Sequence, residues 1–226
     1  MALFDVSQVE YGYRWERQDI AVLKGVTLQI PEKSFVCLVG PSGSGKTTLL
    51  NLLGLLDRPH QGRIRFLGRD VGAMDEHALG KLRLADLGFV FQAFYLIPTL
   101  SVLENTTYFL APLDVSRKEA NERGEEVLSA LGLIDHRHKR PAELSGGQRQ
   151  RVAIARALAK RPKVILADEP TANLDRETAE SIISVFKELQ KTGVSFVFST
   201  HDTHLVSYAE SVFSLKNGLI ERGVST

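Results

Sequence analysis

Two stretches near the start of the chain, Leu3 to Val9 and Val22 to Ile30, alternate apolar and polar positions with the period of two expected of half-buried strands. In the second, Val26, Leu28 and Ile30 fall on one face before Pro31, Glu32 and Lys33 break the run with a turn. Together they predict an antiparallel sheet. Phe35 to Val39 is instead continuously apolar, the pattern of a strand buried on both faces of a parallel sheet, and it leads into a Gly-rich turn and an apolar helix reaching Leu56. Short apolar runs at Leu87 to Phe91, Val164 to Ala167, Phe196 to Ser199 and Val212 to Leu215 supply further strands, with helical periodicity between most of them. From Leu96 to Lys160 the pattern changes: Lys118 to Leu131 and Gln148 to Ala159 have helical spacing and no strand is evident. The chain therefore reads as one α/β domain, with a core of residues 1–95 and 161–226 and a helical lobe, 96–160, inserted into it.

Length and charge narrow the partners. With 226 residues and 43% hydrophobic composition the chain can bury a sizeable core. A formal net charge of +1 gives no global field to draw it to nucleic acid or anionic lipid, so phosphate binding has to be local. Cys37, the single cysteine, lies in the apolar run and excludes an internal disulfide. Met1 to Glu10 carries Asp5 and Glu10 and lacks the pattern of a signal peptide, which predicts a cytoplasmic protein. No stretch approaches the roughly twenty apolar residues that cross a bilayer. If the protein serves a membrane, another chain spans it. The basic run Arg137, His138, Lys139, Arg140 before Pro141 reads as a solvated loop.

The chemistry is concentrated in three motifs. Gly40, Pro41, Ser42, Gly43, Ser44, Gly45, Lys46 and Thr47 match the G-x-x-x-x-G-K-[ST] phosphate loop, in the strand-to-helix context that the motif requires, and Thr48 extends the same site. Glycines let backbone amides turn inward around phosphate oxygens, and the helix N-terminus adds partial positive charge. Lys46 would reach the β- and γ-phosphates, and the Thr47 hydroxyl would ligate magnesium. Val164 to Ala167 then delivers Asp168 and Glu169 at the C-terminal end of a buried strand, where open α/β sheets bind ligands. Neighbouring side chains on an extended segment diverge, so Asp168 can face magnesium while Glu169 addresses the attacking water. The competing reading of Asp-Glu-Pro is a plain helix cap. Third, Leu144, Ser145, Gly146, Gly147 and Gln148 open an amphipathic segment, which puts a second anion site at a helix N-terminus.

With that string the sequence resembles the ATP-binding cassette family, whose signature it matches. The resemblance runs over essentially the whole chain and implies a P-loop NTPase (RecA-like) core with an antiparallel β subdomain and an inserted α-helical subdomain. It also implies ATP and Mg2+ as ligands, hydrolysis of ATP, and a homodimer formed on ATP binding in which the signature of one subunit closes on the ATP of the other. Gln92, after the strand Leu87 to Phe91, matches the family's glutamine loop, a contact to magnesium and water that passes the nucleotide state to the helical lobe. Ala172, Asn173, Leu174 and Asp175 match the loop at the dimer seam, with Asp175 near the nucleotide. His201 matches the switch histidine that senses the γ-phosphate. An aromatic near the N-terminus stacks on adenine in this family; spacing favours Tyr13 over Tyr11.

Ile97 to Leu100, Glu104, Asn105, Phe89 to Gln92 and Leu53 to Pro59 resemble the branch containing lipoprotein-release and macrolide-export ATPases. That resemblance implies a place on the cytoplasmic face of the membrane, with permease subunits contacting the region around Phe91, Phe94, Tyr95 and Leu96. A soluble cassette ATPase acting on nucleic acid or ribosomes is the alternative, opposed by the lack of a heptad run and of a second phosphate loop. A metabolic P-loop kinase is opposed by the signature and by Glu169.

Overall fold

The computed structural model describes residues 1–15 and 18–221. In chain order the strands are β1 (Ala2–Trp15), β2 (Gln18–Pro31), β3 (Phe35–Val39), β4 (Gln61–Phe66), β5 (Arg69–Asp70), β6 (Leu87–Val90), β7 (Val164–Asp168), β8 (Ser195–Ser199), β9 (Ser211–Lys216) and β10 (Leu219–Glu221). The helices are α1 (Lys46–Leu53), α2 (Glu76–Asp86), α3 (Val102–Thr107), α4 (Arg117–Ala130), α5 (Gly146–Leu158), α6 (Arg176–Lys191) and α7 (Thr203–Val206), with short 3-10 turns between some of them. Two compact units divide the chain, one of Met1–Arg83 with Ser195–Thr226, the other of Leu84–Val194.

In the first unit, β1 and β2 form the expected antiparallel hairpin, with Phe4 opposite Ile30, Val6 opposite Leu28 and Val9 opposite Val26. All six side chains are buried, as the alternation requires. The sheet extends in the order β2-β1-β4-β5. Ile64 and Phe66 of β4 add to the same core, with the Phe66 ring 5.0 Å from Phe4. Both hairpin strands run further than the alternation indicates, to Trp15 and from Gln18. A second sheet has β3 between β8 and β9, parallel to both, with β10 antiparallel on β9. Phe35, Val36, Cys37 and Leu38 are completely buried there, which is what a continuous apolar run between two neighbours predicts.

Helix α1 stops at Leu53, short of the expected Leu56. The amide of Gly54 closes the last turn on Leu50, and Leu55 takes the left-handed conformation at φ 58°. In the second unit, β6 and β7 pair in parallel, Gly88 beside Ile165 and Val90 beside Ala167. A Cβ on Gly88 would lie 2.3 Å from Ile165 Cδ1 and 3.2 Å from the carbonyl oxygen of Ala157, so glycine is what lets α5 lie against β6. Helices α3, α4 and α5 pack on one another around Val102, Leu128 and Val152. None of the described helices is long and apolar enough to cross a membrane.

Candidate nucleotide site

The phosphate loop grows from the buried end of β3. Gly40 has φ 151°, and a Cβ there would sit 2.1 Å from the carbonyl oxygen of Leu215 on β9, so no side chain fits at the start of the loop. Gly45 caps α1 in the left-handed conformation and starts the helix at Lys46. The Lys46 ammonium is folded back over the loop, donating to the carbonyls of Gly40 at 2.9 Å and Pro41 at 3.1 Å. The Ser44 hydroxyl is buried and finds no hydrogen-bond partner among the described residues, while a Cβ on Gly43 would meet only open space. An orphaned hydroxyl, a pendant ammonium and open backbone fit a polyphosphate chain. Pro41, Ser42 and Thr47 are exposed on the same loop and first turn. Thr48 is buried and its hydroxyl lies 3.2 Å from that of Tyr13.

That bond separates the two tyrosines. Tyr13 is 45% exposed and tethered to the first turn of α1, whereas Tyr11 is half-buried and stacked on His60, with ring centroids 4.9 Å apart. The Tyr11 ring also meets Tyr13 edge-on at 5.2 Å, and burial pushes its hydroxyl pKa above the ordinary value, with Asp57 and Tyr13 adding to the rise. Tyr11, Tyr13 and His60 border an open cleft of about 570 Å³, lined also by Lys24, Leu23 and Gln61. His201 follows β8 at the same end of the sheet as the loop: the amide of the preceding Thr200 bonds the carbonyl of Leu38 at 3.2 Å, and Asp202 caps α7. The first unit thus gathers Tyr13, residues 40–48 and the backbone of His201 at the C-terminal edge of β3 and β8.

In the second unit the parallel register of β6 and β7 brings the segments carrying Gln92 and Asp168 to one sheet edge. Asp168 is the last residue of β7, but Glu169 is not extended; its φ is 49°. The backbone between the two carboxylate residues turns through a left-handed kink instead of continuing the strand alternation. For a residue with a Cβ that conformation is strained, by roughly 1–2 kcal/mol. The helix-cap reading of this pair fails, because the next helix, α6, starts at Arg176 and is capped by Asp175. Asp175 accepts from the amide and hydroxyl of Thr178 at 2.9 and 2.8 Å, and these bonds hold its carboxyl below the usual range.

Ser145 caps α5 in a reciprocal box: its hydroxyl oxygen accepts from the Gln148 amide at 3.2 Å, and the Gln148 side chain accepts from the Ser145 amide at 2.9 Å. The Gln148 side-chain Nε2 then lies 3.0 Å from His136 Nε2. Gln148 is therefore committed to the cap, and the first-turn amides not used by it are those of Gly146 and Gly147. A Cβ on Gly146 would meet nothing within 4 Å, whereas one on Gly147 would come to 3.4 Å from the carbonyl oxygen of Asn173.

Four buried or half-buried side chains support this site without sequence reasoning having singled them out for it. Gln150, fully buried on α5, donates to the carbonyl of Pro170 at 3.1 Å, next to Glu169. Asn105 on α3, also fully buried, accepts from the Ile97 amide at 2.8 Å and donates to the carbonyls of Ile97, Leu100 and Ser101. Arg156 donates to the carbonyls of Phe94, at 2.8 Å, and Tyr95. Lys160 donates to the carbonyl of Leu87 and stands 5.8 Å over the Phe109 ring; burial brings its pKa down to about 8, helped by the charge of Arg156 and opposed by Asp86. A charge such as Arg156 in the otherwise apolar run 152–158 was the available signal. Of the aromatics after β6, Phe91 is half-buried between Phe89 and Tyr95, and Tyr95 is 69% exposed.

Residues 23–172 match the family model described as "ABC transporter". The chain is 44% identical over 214 residues to the lipoprotein-releasing system ATP-binding protein LolD 2 of Caulobacter vibrioides, covering 94% of each chain. It is 42% identical over 227 residues to the macrolide export ATP-binding/permease protein MacB of Syntrophobacter fumaroxidans, covering 98% of this chain and 31% of that protein. A dimeric post-hydrolysis structure of the ATP-binding cassette MJ0796, bound to ADP and Pi, superposes with a TM-score of 0.94 at 40% identity over 98% of both chains. The chain belongs to the ABC transporter family: it is an ATP-binding cassette subunit, an ATPase with the P-loop fold, an antiparallel β subdomain and a helical subdomain.

Proposed function

We propose that this cassette pairs with a second copy when ATP binds and drives separate membrane-spanning subunits from the cytoplasmic face of the membrane, in a system of the lipoprotein-release or macrolide-export kind. LolD 2 and MacB, the relatives named above, motivate the system, and the dimeric MJ0796 cassette motivates the pairing. The functional domain is the whole chain, with 1–95 and 161–226 as nucleotide core and 96–160 as signature lobe. Exposed Tyr95, with Phe91, Phe94 and Leu96 beside it, supports reading this loop as the face toward the permease.

The phosphate loop carries the proposal. Lys46 exchanges its carbonyl partners for β- and γ-phosphate oxygens, and the amides of residues 43–48 surround the chain of phosphates. Tyr13 is exposed, with its hydroxyl beside that of Thr48 and Tyr11 in T-shaped contact with it, and its ring is the one we assign to adenine. Magnesium takes only part of its shell from protein and the rest from phosphates and water; Thr47, Asp168 and Gln92 are the ligands we assign. When bound, the ion neutralises charge developing on the transferred phosphoryl group. Glu169 accepts the proton of the attacking water, His201 donates to the γ-phosphate, and the signature of the second copy, Ser145 to Gln148 with its open amides at Gly146 and Gly147 and with Asp175 nearby, completes the site.

Glu169→Gln and Lys46→Ala test the assignment together. The first should retain ATP binding while steady-state turnover falls by a factor of order 10² or more. The second should weaken binding or abolish turnover with the fold intact. Turnover within twofold of wild type in either variant sinks the role given to that residue.

A further inference from the structure

The loop that carries Gln92 has no regular structure between β6 and α3, yet one face of α5 holds it. Arg149 and Arg156 are seven residues apart, so they point to the same side of the helix two turns apart. The Arg149 guanidinium stands 5.5 Å from the centroid of the Phe94 ring. Arg156 donates to the carbonyls of Phe94 and Tyr95, and Tyr95 is in the left-handed conformation at φ 46°. A peptide strained in this way keeps its shape only when its surroundings fix it. Two adjacent carbonyls pointing the same way suit a planar, forked donor and not a point charge. Arg156 is 8% exposed. A guanidinium that is merely structural on a helix surface would leave its charge in water.

We propose that Arg156, with Arg149 as its outer brace, is the positioning residue that fixes the Gln92 loop to the signature helix, so that the loop moves with the anion site at the start of α5. The helix is the rigid link: Ser145 and Arg156 are eleven residues apart, about 16 Å along the axis. An anion drawn onto the amides of Gly146 and Gly147 pulls on the helix, and the two arginines transmit that displacement to Phe94 and Tyr95. Gln92 is two residues from the gripped carbonyl, so a shift of about 1 Å there suffices to misplace its amide, a displacement that can cost on the order of 10²-fold in rate. This inference rests on the reading of Gln92 as a contact to magnesium and water.

The experiment uses the full chain and three variants, Arg156→Gln, Arg156→Lys and Gln92→Ala. Steady-state ATPase kinetics and hydrogen exchange of the 92–101 segment are measured with and without a non-hydrolysable ATP analogue and magnesium. In the wild type the analogue should slow exchange of that segment. Arg156→Gln should keep KM for ATP within about threefold, lower kcat by a factor between about 10 and 10², and exchange the segment at a rate that the analogue no longer changes. Arg156→Lys, which can reach one carbonyl, should recover part of both. Wild-type kcat and nucleotide-responsive exchange in Arg156→Gln overturn the proposal. So does a loss in which KM, kcat and exchange of the β1–β2 hairpin all worsen together, the mark of general destabilisation. Should Arg156→Gln not fold, wild-type exchange of the segment in Arg156→Lys overturns it equally. Unchanged kcat in Gln92→Ala refutes the role of Gln92 alone, because the exchange data still report whether Arg156 holds the loop.

Discussion

Replacing Asn105 gives a prediction whose size can be worked from the bonds it makes. Its side chain is fully buried and faces both ends of the Ile97–Ser101 turn. Because the Ile97 amide can only donate, Oδ1 is the atom opposite it, and Nδ2 must serve the three carbonyls. After Asn105→Ala, the Ser101 carbonyl keeps the backbone amide of residue 105 at 2.8 Å, and the Ile97 carbonyl keeps that of Leu100 at 3.2 Å. Two groups then lose the bond described here, the Ile97 amide and the Leu100 carbonyl. At about 1–3 kcal/mol for each orphaned group, and with both residues half-buried so that water relieves part of the cost, the loss should be about 2–3 kcal/mol. For a chain of this length that is a fall in Tm of roughly 4–12 °C. Asn105→Asp is nearly isosteric and keeps an acceptor for Ile97, but it turns a charged oxygen toward three carbonyls. It should be worse than alanine by about 1 kcal/mol or more at pH 7. Urea unfolding of the three proteins decides the matter. An aspartate variant as stable as the alanine variant, or both within 0.5 kcal/mol of wild type, would refute the bond assignment.

Other outcomes follow from single contacts. Gly40→Ala places a Cβ 2.1 Å from the Leu215 carbonyl oxygen at a φ that disfavours side chains, so it should cost about 2–4 kcal/mol in urea unfolding and lose ATP binding in equilibrium dialysis. Lys160 has a folded pKa lowered to about 8, so between that pH and the ordinary lysine value the unfolded chain binds more protons and stability rises with pH. Lys160→Met should flatten that rise in urea midpoints measured from pH 8 to 10. If two copies share each site, ATPase activity per chain should climb with protein concentration, and full activity where sedimentation finds only monomer would contradict it. Mixing Lys46→Ala with Ser145→Arg chains should then restore some hydrolysis.

The legible parts of this protein are those where neighbours in sequence act together. The phosphate loop is contiguous, β3 announces its double burial by five apolar residues in a row, and Ser145 precedes its helix with Gln148 in the place a reciprocal cap needs. Legibility fails where a distant partner decides. Helix α1 looks continuous to Leu56 because leucines flank Gly54 on both sides, and only the backbone of Leu55 reveals the stop. β4 is hard to read because Gln61, Gly62, Arg63 and Arg65 surround just two apolar residues, whose burial comes from pairing with β1. Extended geometry was the natural expectation for Asp168 and Glu169, since nothing in Ala-Asp-Glu-Pro spells out a left-handed glutamate. Arg156 binds carbonyls some sixty residues away in the chain, at Phe94 and Tyr95, whereas Asn105 binds those of the turn just before its own helix; in both cases the acceptors are backbone atoms, which the sequence does not mark.

The cap of α5 sets a limit on how this protein can be improved. Aspartate is as good an N-cap as serine and adds favourable charge to a helix start, so selection for stability alone would accept Ser145→Asp, with a gain of a few tenths of a kcal/mol up to about 1. The same carboxylate would stand beside the amides of Gly146 and Gly147 and repel the phosphate proposed to approach them. Thermostabilising libraries screened by melting temperature should therefore enrich an inactive variant at this position. A neutral hydroxyl satisfies both demands, because its oxygen closes the helix while the site keeps its attraction for an anion.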